Sequence, residues 1–458
     1  MRAVYCKNLF QYLSAFSGSF NLISYGAVTA WTSPFLSYLT SESSTIPVTD
    51  EQGSWIAICS AMGCPFGAIL GSYLGDAVGR KKSVLMAAPI AFFGNIWLAF
   101  ANDVWMLFAI RFIIGVADGF SFTVFPVYIG EISSPEIRGF LSSLPTLMFL
   151  FGILFINIIG SIWSIFTCAI IASIIPLLHF ITFIFMPESP YWYVKVKRYD
   201  DAEKSLQIFR GEKDVQKQLL IIKETIRDEE ERGKPKVTDL ITIPSNRRAT
   251  IITFLIVLQN KATAKSPLLF FTKTIFEKTG SDISPTVSTI SYSAVEMLIA
   301  ALTCYFILDR FGKRILCIIS VSGCIVSLLA IGIYFQLDDT ANELLAYLNW
   351  LPLTALICFN IFYNVGISFA PFCFACELFP TGVRAYALTM TELSMSICTV
   401  ISGKAFHWLQ SYYGSFAIPF FTFSALCLLV FIFVIKLTPE TKGKSLEEIQ
   451  LFLKAKTK

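Results

Sequence analysis

The chain has 458 residues, of which 55% are hydrophobic and 15% are charged, and its mean hydropathy is +0.65. A soluble domain carries about 25% charged and about 45–50% apolar residues, so this composition excludes an ordinary soluble protein and indicates a membrane protein. The formal net charge of +4 is small, and the basic loops described below account for it, so no nucleic-acid partner is expected.

Twelve mostly apolar stretches follow one another along the chain, and each is long enough to cross a bilayer as an α-helix. The first has no small-residue cleavage site after a short apolar core, so we predict a span and not a removable signal peptide. Short polar turns separate all neighbours except the sixth and the seventh. The predicted spans are residues 13–38, 54–75, 83–101, 104–130, 140–160, 164–186, 249–272, 286–308, 315–335, 347–378, 385–410 and 416–437.

Lysine and arginine are concentrated in alternate connections between the spans. The connections at 80–82 and at 310–314 hold three basic residues each, whereas the loop at 40–53 holds none. Short basic loops stay in the cytoplasm when a membrane protein inserts. We therefore predict a multi-pass integral membrane protein with both termini cytoplasmic.

One long polar segment, residues 187–248, separates the sixth span from the seventh. Apolar residues recur at helical spacing at 201–209 and 216–231, which predicts short amphipathic helices under the membrane. A solvated charged linker is the alternative. The predicted division is an N-terminal six-span half (1–186), cytoplasmic linker helices (187–248), a C-terminal six-span half (249–437) and a cytoplasmic tail (438–458).

Three short signatures occur in the same order in each half. GDAVGRKK (75–82) is matched by LDRFGKRI (308–315), YIGEISSPEIRG (128–139) by FACELFPTGVRA (374–385), and PESPYW (187–192) by PETKG (439–443). The offsets are 233, 246 and 252 residues, and in the second pair a Glu precedes an Arg by seven residues in both halves. Near-constant spacing of this kind indicates duplication of one six-span unit.

Together with RFIIGV, IFEKTG and PETKGKSLEEI, these motifs resemble the sugar porter family of the major facilitator superfamily over essentially the whole chain. WTSP at 31–34 and LPT at 144–146 make the chain most similar to the insect branch of facilitated trehalose transporters. The resemblance implies an all-α membrane protein with 12 transmembrane helices in two six-helix halves and cytoplasmic helices between spans six and seven. It also implies facilitated transport of a sugar such as trehalose or glucose by alternating access, at the plasma membrane.

A carrier that opens to one side at a time needs contacts between its halves that form only when the inner side is shut. Charged residues cluster at the predicted cytoplasmic ends of the spans, where the resemblance implies an inner-gate network. Positive-inside anchors with incidental acids are the alternative, but the matching Glu-to-Arg spacing favours a gate. The candidate gate residues are Asp76, Arg80, Lys81, Glu131 and Arg138 in one half, and Asp309, Lys313, Arg314, Glu377 and Arg384 in the other.

In sugar porters, span seven carries a Gln-Gln-Leu-Ser-Gly-Ile-Asn run whose amides bind sugar hydroxyls, because an amide donates and accepts at once. Aligned from IFEKTG, the same place reads NKATAKS (260–266) and keeps a single amide. The other positions that the family uses for sugar also differ, and the aromatic face for a sugar ring is reduced. The resemblance implies substrate-binding residues at Thr146, Asn260, Lys261, Ser266, Glu296, Tyr363, Asn364, Phe372, Met395 and Ser396.

Charged residues fall inside several predicted spans. Lys261 and Lys265 are four residues apart and therefore share one face of a continuous helix. An unpaired charge at mid-bilayer costs about 2.5–3.5 kcal/mol, so we expect such groups to face the cavity and pair. We predict an ion pair between Lys261 and Glu296, which either replaces the missing amides, selects a charged or zwitterionic substrate, or only satisfies itself. For Lys265, snorkelling toward the membrane surface is the alternative.

Span four carries two further charges, Arg111 and Asp118, which lie two turns apart on one helix face. The resemblance gives Arg111 a structural or conformational role. For Asp118 we expect a partner on another span, with a proton relay as the alternative.

The residue at Gly26, in SYGAV, takes the place of an Asp found in proton-coupled members, which favours a facilitator. A proton-coupled carrier of a sugar, or of a charged or zwitterionic metabolite, is the alternative, kept open by Glu296, Glu392 and Asp118. A non-transporting nutrient sensor is less favoured because both tails are short. The sequence holds no catalytic constellation and no metal-ligand spacing, so no enzyme activity, cofactor or metal is expected. The expected partners are a small-molecule substrate, a sugar, and the lipid bilayer, with no nucleic acid and no obligate protein partner.

Overall fold

The chain folds almost entirely into helices. The computed structural model describes residues 8–231, 236–279, 283–307, 311–340 and 343–440, and these residues include no β-strand. The α-helices are α1 (Leu9–Ala30), α2 (Thr32–Leu39), α3 (Asp50–Val78), α4 (Arg80–Ala99), α5 (Val104–Ile132), α6 (Arg138–Ile162), α7 (Ile165–Phe183), α8 (Pro190–Lys195), α9 (Tyr199–Arg210), α10 (Gln216–Glu231), α11 (Asp239–Thr242), α12 (Pro244–Ala262), α13 (Lys265–Glu277), α14 (Pro285–Leu302), α15 (Lys313–Asp339), α16 (Leu351–Val365), α17 (Ala370–Leu378), α18 (Thr381–Tyr413) and α19 (Ala417–Leu437).

Nine helical segments within the described ranges are long and apolar enough to cross a membrane. They coincide with nine of the twelve predicted spans, and two of them are composite: α14 with the π-helical turn Thr303–Ile307, and α16 with α17. The other three predicted spans are occupied by α1 with α2, by α12 with α13, and by α18. These helices carry more polar side chains or are interrupted, so the count of twelve spans stays a prediction.

Three predicted spans are broken where the sequence indicated one helix each. The first turns at Trp31, and the tenth is interrupted between Val365 and Ala370. The seventh breaks at Ala264, whose φ of 60° is left-handed and therefore ends the regular hydrogen-bond ladder. The apolar periodicity continues across these breaks, which is why it did not reveal them.

The helices pack into two groups, since α1–α7 contact mainly one another and α12–α19 do the same. We call these the first bundle and the second bundle. In the first, α3 and α5 come so close that a Cβ at Gly115 would overlap the carbonyl oxygen of Ser60, and one at Gly63 that of Phe112. Small residues at such crossings let helix backbones approach closely in a membrane.

In the segment of chain that connects the bundles, α8, α9 and α10 form a small separate core. Val194, Leu206 and Leu219 are buried there, as amphipathic periodicity predicts. The predicted helices at 201–209 and 216–231 correspond to α9 and α10. Trp192 ties this group to the first bundle, because its Nε1 donates a hydrogen bond to the carbonyl oxygen of Asp76 at 2.9 Å.

Candidate substrate site and gates

The charged end of the first bundle is organised around Arg80, at the start of α4. Its guanidinium contacts Asp76 at 2.5 Å and Glu131 at 3.2 Å, and the hydroxyl of Ser189 also donates to Glu131. Lys195 on α8 adds a second contact to Asp76 at 3.0 Å. The three signatures of the first half therefore meet at one point. We call this side of both bundles the basic end.

The second bundle repeats this arrangement at the equivalent positions. Lys313, which corresponds to Arg80, forms an ion pair with Glu377, which corresponds to Glu131. Arg138 and Arg384 also match, since each donates to the carbonyl oxygen five residues before it, at 3.2 Å and 3.5 Å. The repeat read from the motifs is thus present in the side-chain contacts.

In each half, the third signature (PESPYW or PETKG) packs against the first (GDAVGRKK or LDRFGKRI). The carboxylate of Glu188 lies against Gly79 and that of Glu440 against Gly312, so that a Cβ on either glycine would collide with it. Gly79 also has a φ of 113°, which other residues rarely adopt. Glu188 accepts from the backbone N–H of Lys81 at 2.9 Å, and burial raises the pKa of this carboxyl above its usual range.

The contacts described here for the gate candidates do not cross between the two bundles; those of the first bundle involve the bundle itself and the adjacent residues 188–195. Arg314, for example, donates to the carbonyl oxygen of Ile435 at 2.8 Å. Asp309 lies outside the described residues. At this end the bundles touch through an aromatic contact, Phe140 with Tyr305, whose ring centroids are 5.9 Å apart.

At the opposite end, which we call the distal end, polar contacts cross between the bundles. The ammonium of Lys404 on α18 lies 2.5 Å from Glu51 on α3, and the hydroxyl of Ser37 on α2 donates to Glu277 on α13 at 2.5 Å. The structure is therefore closed at the distal end, while the ion pairs described at the basic end do not cross between the bundles.

The single retained amide, Asn260, is fully buried and used within the second bundle. Its Nδ2 donates to the Tyr363 hydroxyl at 3.1 Å and to the carbonyl oxygen of Ile367 at 2.9 Å, and its Oδ1 accepts from the same hydroxyl. Both amide protons are therefore already bound. Asn260 fixes α12 against α16 and has no free donor for a substrate hydroxyl.

The predicted ion pair between Lys261 and Glu296 is wrong, because Glu296 pairs with the other lysine. Lys265, not Lys261, contacts Glu296, with Nζ 2.6 Å from Oε1, and it is 7% exposed, so it does not snorkel outward. Its Nζ also lies 3.2 Å from Asn360 Oδ1 and 3.3 Å from the Tyr292 hydroxyl. The prediction assumed a continuous helix, and the break at Ala264 removes the shared face.

Lys261 instead lies half-buried in the last turn of α12. Its Nζ donates to Ser266 at 3.4 Å, a long hydrogen bond, and its charge interacts with Glu392 on α18. Glu392 is 6% exposed and accepts from Ser396. The ion pairs of the described residues include none between Lys261 and Glu392, although the two charges interact.

The remaining candidates are spread over the same region. Phe372 lies against Phe122 of the first bundle, with ring centroids 5.5 Å apart. Asn364 is buried, donates to the carbonyl oxygen of Asn360 at 3.0 Å, and leaves its Oδ1 without a partner. Thr146 and Met395 are half-buried on α6 and α18. The structure thus brings Lys261 and Ser266 into contact and places Ser396 beside Glu392, and none of the described polar contacts joins Thr146 to them.

The two charges of α5 do not behave alike. Arg111 is buried, donates to the carbonyl oxygen of Ile56 at 2.7 Å, and stacks 5.1 Å over the Trp31 ring, which fits a structural role. Asp118 was expected to pair with another span, but the ion pairs of the described chain include none to it. One of its oxygens is buried without a hydrogen-bond partner.

Several central residues were not among the predicted site residues. Tyr292, Asn360 and Glu392 belong to the charged networks described above. Asn157 on α6 donates to Ser293 on α14 at 2.9 Å and so joins the two bundles near Glu296. A polar side chain within an apolar span was the available signal for each of them.

Comparison with known proteins gives the family. The sequence profile described as "Sugar (and other) transporter" matches residues 7–453. The chain belongs to this sugar transporter family. It is 31% identical to the facilitated trehalose transporter Tret1 of Polypedilum vanderplanki over 96% of this chain and 87% of that protein. It is 32% identical to Tret1 of Bombyx mori, over 97% and 86%.

Solved structures give the fold. This sugar transporter family member superimposes on the partially occluded, inward-open xylose transporter XylE from E. coli with a TM-score of 0.79 at 18% identity, covering 95% of this chain and 99% of that one. XylE bound to 6-bromo-6-deoxy-D-glucose gives 0.78 at 19% identity, covering 98% and 100%. The predicted major facilitator fold is confirmed.

Proposed function

We propose that this protein is a facilitative carrier that moves a sugar across a membrane by alternating access. The observation that carries the proposal is the asymmetry of the two ends. Polar contacts join the bundles at the distal end, while the ion pairs of the basic end that the structure describes do not cross between the bundles. An alternating-access carrier that is shut on one side has this arrangement. Membership of the sugar transporter family supports a sugar as the cargo.

We place the basic end in the cytoplasm, with both termini, because its loops hold most of the basic residues. The division into two six-span halves, the linker helices at 187–248 and the tail from 438 follows the paired motifs. The plasma membrane is the proposed location. A carrier of this kind has no catalytic activity, and its partners are the sugar and the lipid bilayer.

For the cargo we propose a neutral sugar of the glucose or trehalose type, as the names of the similar proteins suggest. Asn260 is already bonded within the second bundle. The hydroxyls of the sugar would therefore bind Lys261, Ser266, Ser396 and the neighbouring Glu392. Phe372 supplies an apolar face. Charged groups form stronger hydrogen bonds than amides, so they replace the missing glutamines.

The test is uptake of labelled trehalose and glucose by oocytes that express the chain. Saturable uptake above that of water-injected cells is expected, and Lys261→Met is expected to raise KM because a hydroxyl partner is lost. Lys278→Met, at an exposed lysine on the distal side, is the matched control and leaves KM unchanged. Uptake of neither sugar, at normal surface expression, contradicts the proposal.

A second candidate is a carrier of a charged or zwitterionic metabolite, with or without a proton. It is favoured by the interacting charges of Lys261 and Glu392, which no described ion pair joins, and by the Asp118 oxygen that is buried without a hydrogen-bond partner. Uptake is measured at an outside pH of 5.5 and of 7.5, about one unit below and above the ordinary pKa of histidine, with and without an uncoupler. This comparison separates a facilitator from a proton-coupled carrier. A facilitator hardly responds to the uncoupler, whereas a proton-coupled carrier loses accumulation.

A further inference from the structure

The closure of the distal end is concentrated on one lysine. Lys404 lies on α18 of the second bundle, and all its described partners lie on the first turns of α3 in the first bundle. Its Nζ is 2.5 Å from Glu51 Oε1, donates to the Ser54 hydroxyl at 2.8 Å, and lies 4.4 Å from the centre of the Trp55 ring. One ammonium therefore joins the two bundles through a carboxylate, a hydroxyl and an aromatic face.

The start of α3, which carries the partners of Lys404, is fixed by hydrogen bonds of its own. Thr49 and Gln52 form a capping box, in which each side chain bonds the backbone N–H of the other, so the start of α3 is fixed. Glu51 also accepts from Trp55 Nε1 at 3.0 Å. Its carboxylate is thus oriented within its own bundle and points toward α18.

The helices approach closely next to this contact. Gly403 precedes Lys404, and a Cβ at Gly403 would lie 2.8 Å from the Ile58 side chain of α3. His407, one turn further on, has Nδ1 3.9 Å from the other oxygen of Glu51. The absence of a side chain at Gly403 lets α18 come near enough for Lys404 to reach Glu51.

A second, smaller bridge closes the other side of the distal end. Ser37 on α2 donates to Glu277 on α13, and Lys273 donates to the carbonyl oxygen of Pro34 at 3.4 Å. Both bridges pair an end of the first bundle with an end of the second. The bundles cannot separate at this end unless both are broken.

We propose that Lys404 and Glu51 form an ionic lock that holds the distal end shut, and that this lock must open in each transport cycle. The inference rests on the alternating-access function proposed above. Glu51 is 62% exposed and Lys404 24% exposed in their side chains, so water competes for both. Such a pair shifts the equilibrium between the closed and the open distal end without making either state permanent. This suits a contact that is made and broken in every transport cycle.

The experiment measures the distal opening directly and needs no substrate. Spin labels carried on p-acetylphenylalanine replace Glu42 and Ser411, two exposed residues on opposite bundles near the lock, so the native cysteines are left untouched. Double electron–electron resonance on the purified full chain gives the populations of short and long distances. The short distance is expected to dominate in the otherwise unchanged protein.

Lys404→Met and Glu51→Gln are each expected to raise the ratio of long to short distances about twofold to tenfold, the range for one pair of this kind. The exchanged double variant, Lys404→Glu with Glu51→Lys, restores much of the short distance because the charges attract again. Lys278→Met removes an exposed distal lysine for which the structure describes no contact across the bundles, and it leaves the ratio unchanged.

Two results overturn the lock. One is an unchanged distance distribution in both single variants that run as monodisperse protein. The other is an exchanged variant as open as the singles, since a purely structural role for either side chain gives no rescue. Because these distances are read without sugar, failure of the lock and failure of sugar transport are separate outcomes.

Discussion

At the residue scale, the helix break at Ala264 determines which partners the two central lysines have. The family run has a glycine at this place, and the chain has Ala264 with a φ of 60°. A left-handed conformation costs a non-glycine residue roughly 1–2 kcal/mol. The break nevertheless separates Lys261 from Lys265 and gives each a different partner. A sequence reading by helical spacing cannot detect this, because the spacing of the lysines is normal and only the backbone between them is not.

Substitutions at Ala264 test that strain. Ala264→Gly is expected to keep or raise thermal stability, by up to about 1 kcal/mol, since glycine accepts the positive φ. Ala264→Val is expected to lower it by more, because a branched side chain resists this conformation. Ala262→Val is the matched control: it adds the same volume at a buried helical position. Equal losses for the two valine variants would contradict the role of φ. The melting temperature of the detergent-solubilised protein measures all three.

The pair of Lys265 and Glu296 gives a second prediction at this scale. Glu296→Gln leaves a buried ammonium without its counterion and is expected to cost about 3–5 kcal/mol. The double variant Lys265→Met with Glu296→Gln removes both charges and is expected to recover most of the loss. Lys261→Met, at the lysine with one long hydrogen bond, is expected to cost much less. Thermal unfolding compares them, and a double variant less stable than Glu296→Gln would count against the pair.

At the scale of elements, the paired motifs were the reliable part of the sequence. Their residues are held in local contacts at the ends of helices, so their spacing survives in the sequence and the clusters could be anticipated, although the individual ion pairs could not. Glu131 and Glu377 do bind equivalent cations, Arg80 and Lys313. The interruptions within spans one, seven and ten could not be read, since each keeps its apolar pattern through the break.

The equivalence of the two basic-end clusters predicts equivalent mutants. Glu377→Gln and Glu131→Gln are each expected to lower sugar uptake roughly fivefold while surface expression stays normal, because each frees one cation of its bundle. Glu224→Gln, on the exposed side of α10, is the control and leaves uptake unchanged. Unaltered uptake kinetics in both gate variants would argue against a function for these clusters in transport.

At the scale of the whole molecule, the fold was predictable and the substrate site only partly so. Duplication leaves two copies of each motif, and together they specify the major facilitator architecture. The composition of the substrate site depends on which side chains of the two bundles face each other. Helix breaks and tertiary contacts determine this. Asn360 was therefore found only in the structure, and Glu392, which the sequence offered as a candidate for proton coupling, received its neighbours Ser396 and Lys261 only there. The distal closure involves side chains such as Lys404 that carry no motif.

The central claim is that these bundles alternate around a sugar. Counterflow in proteoliposomes tests it most directly: vesicles loaded with unlabelled trehalose or glucose are diluted into a trace of the labelled sugar. A facilitative carrier is expected to give a transient accumulation of label that an uncoupler does not abolish, and empty vesicles none. No counterflow of either sugar by monodisperse reconstituted protein would contradict the claim.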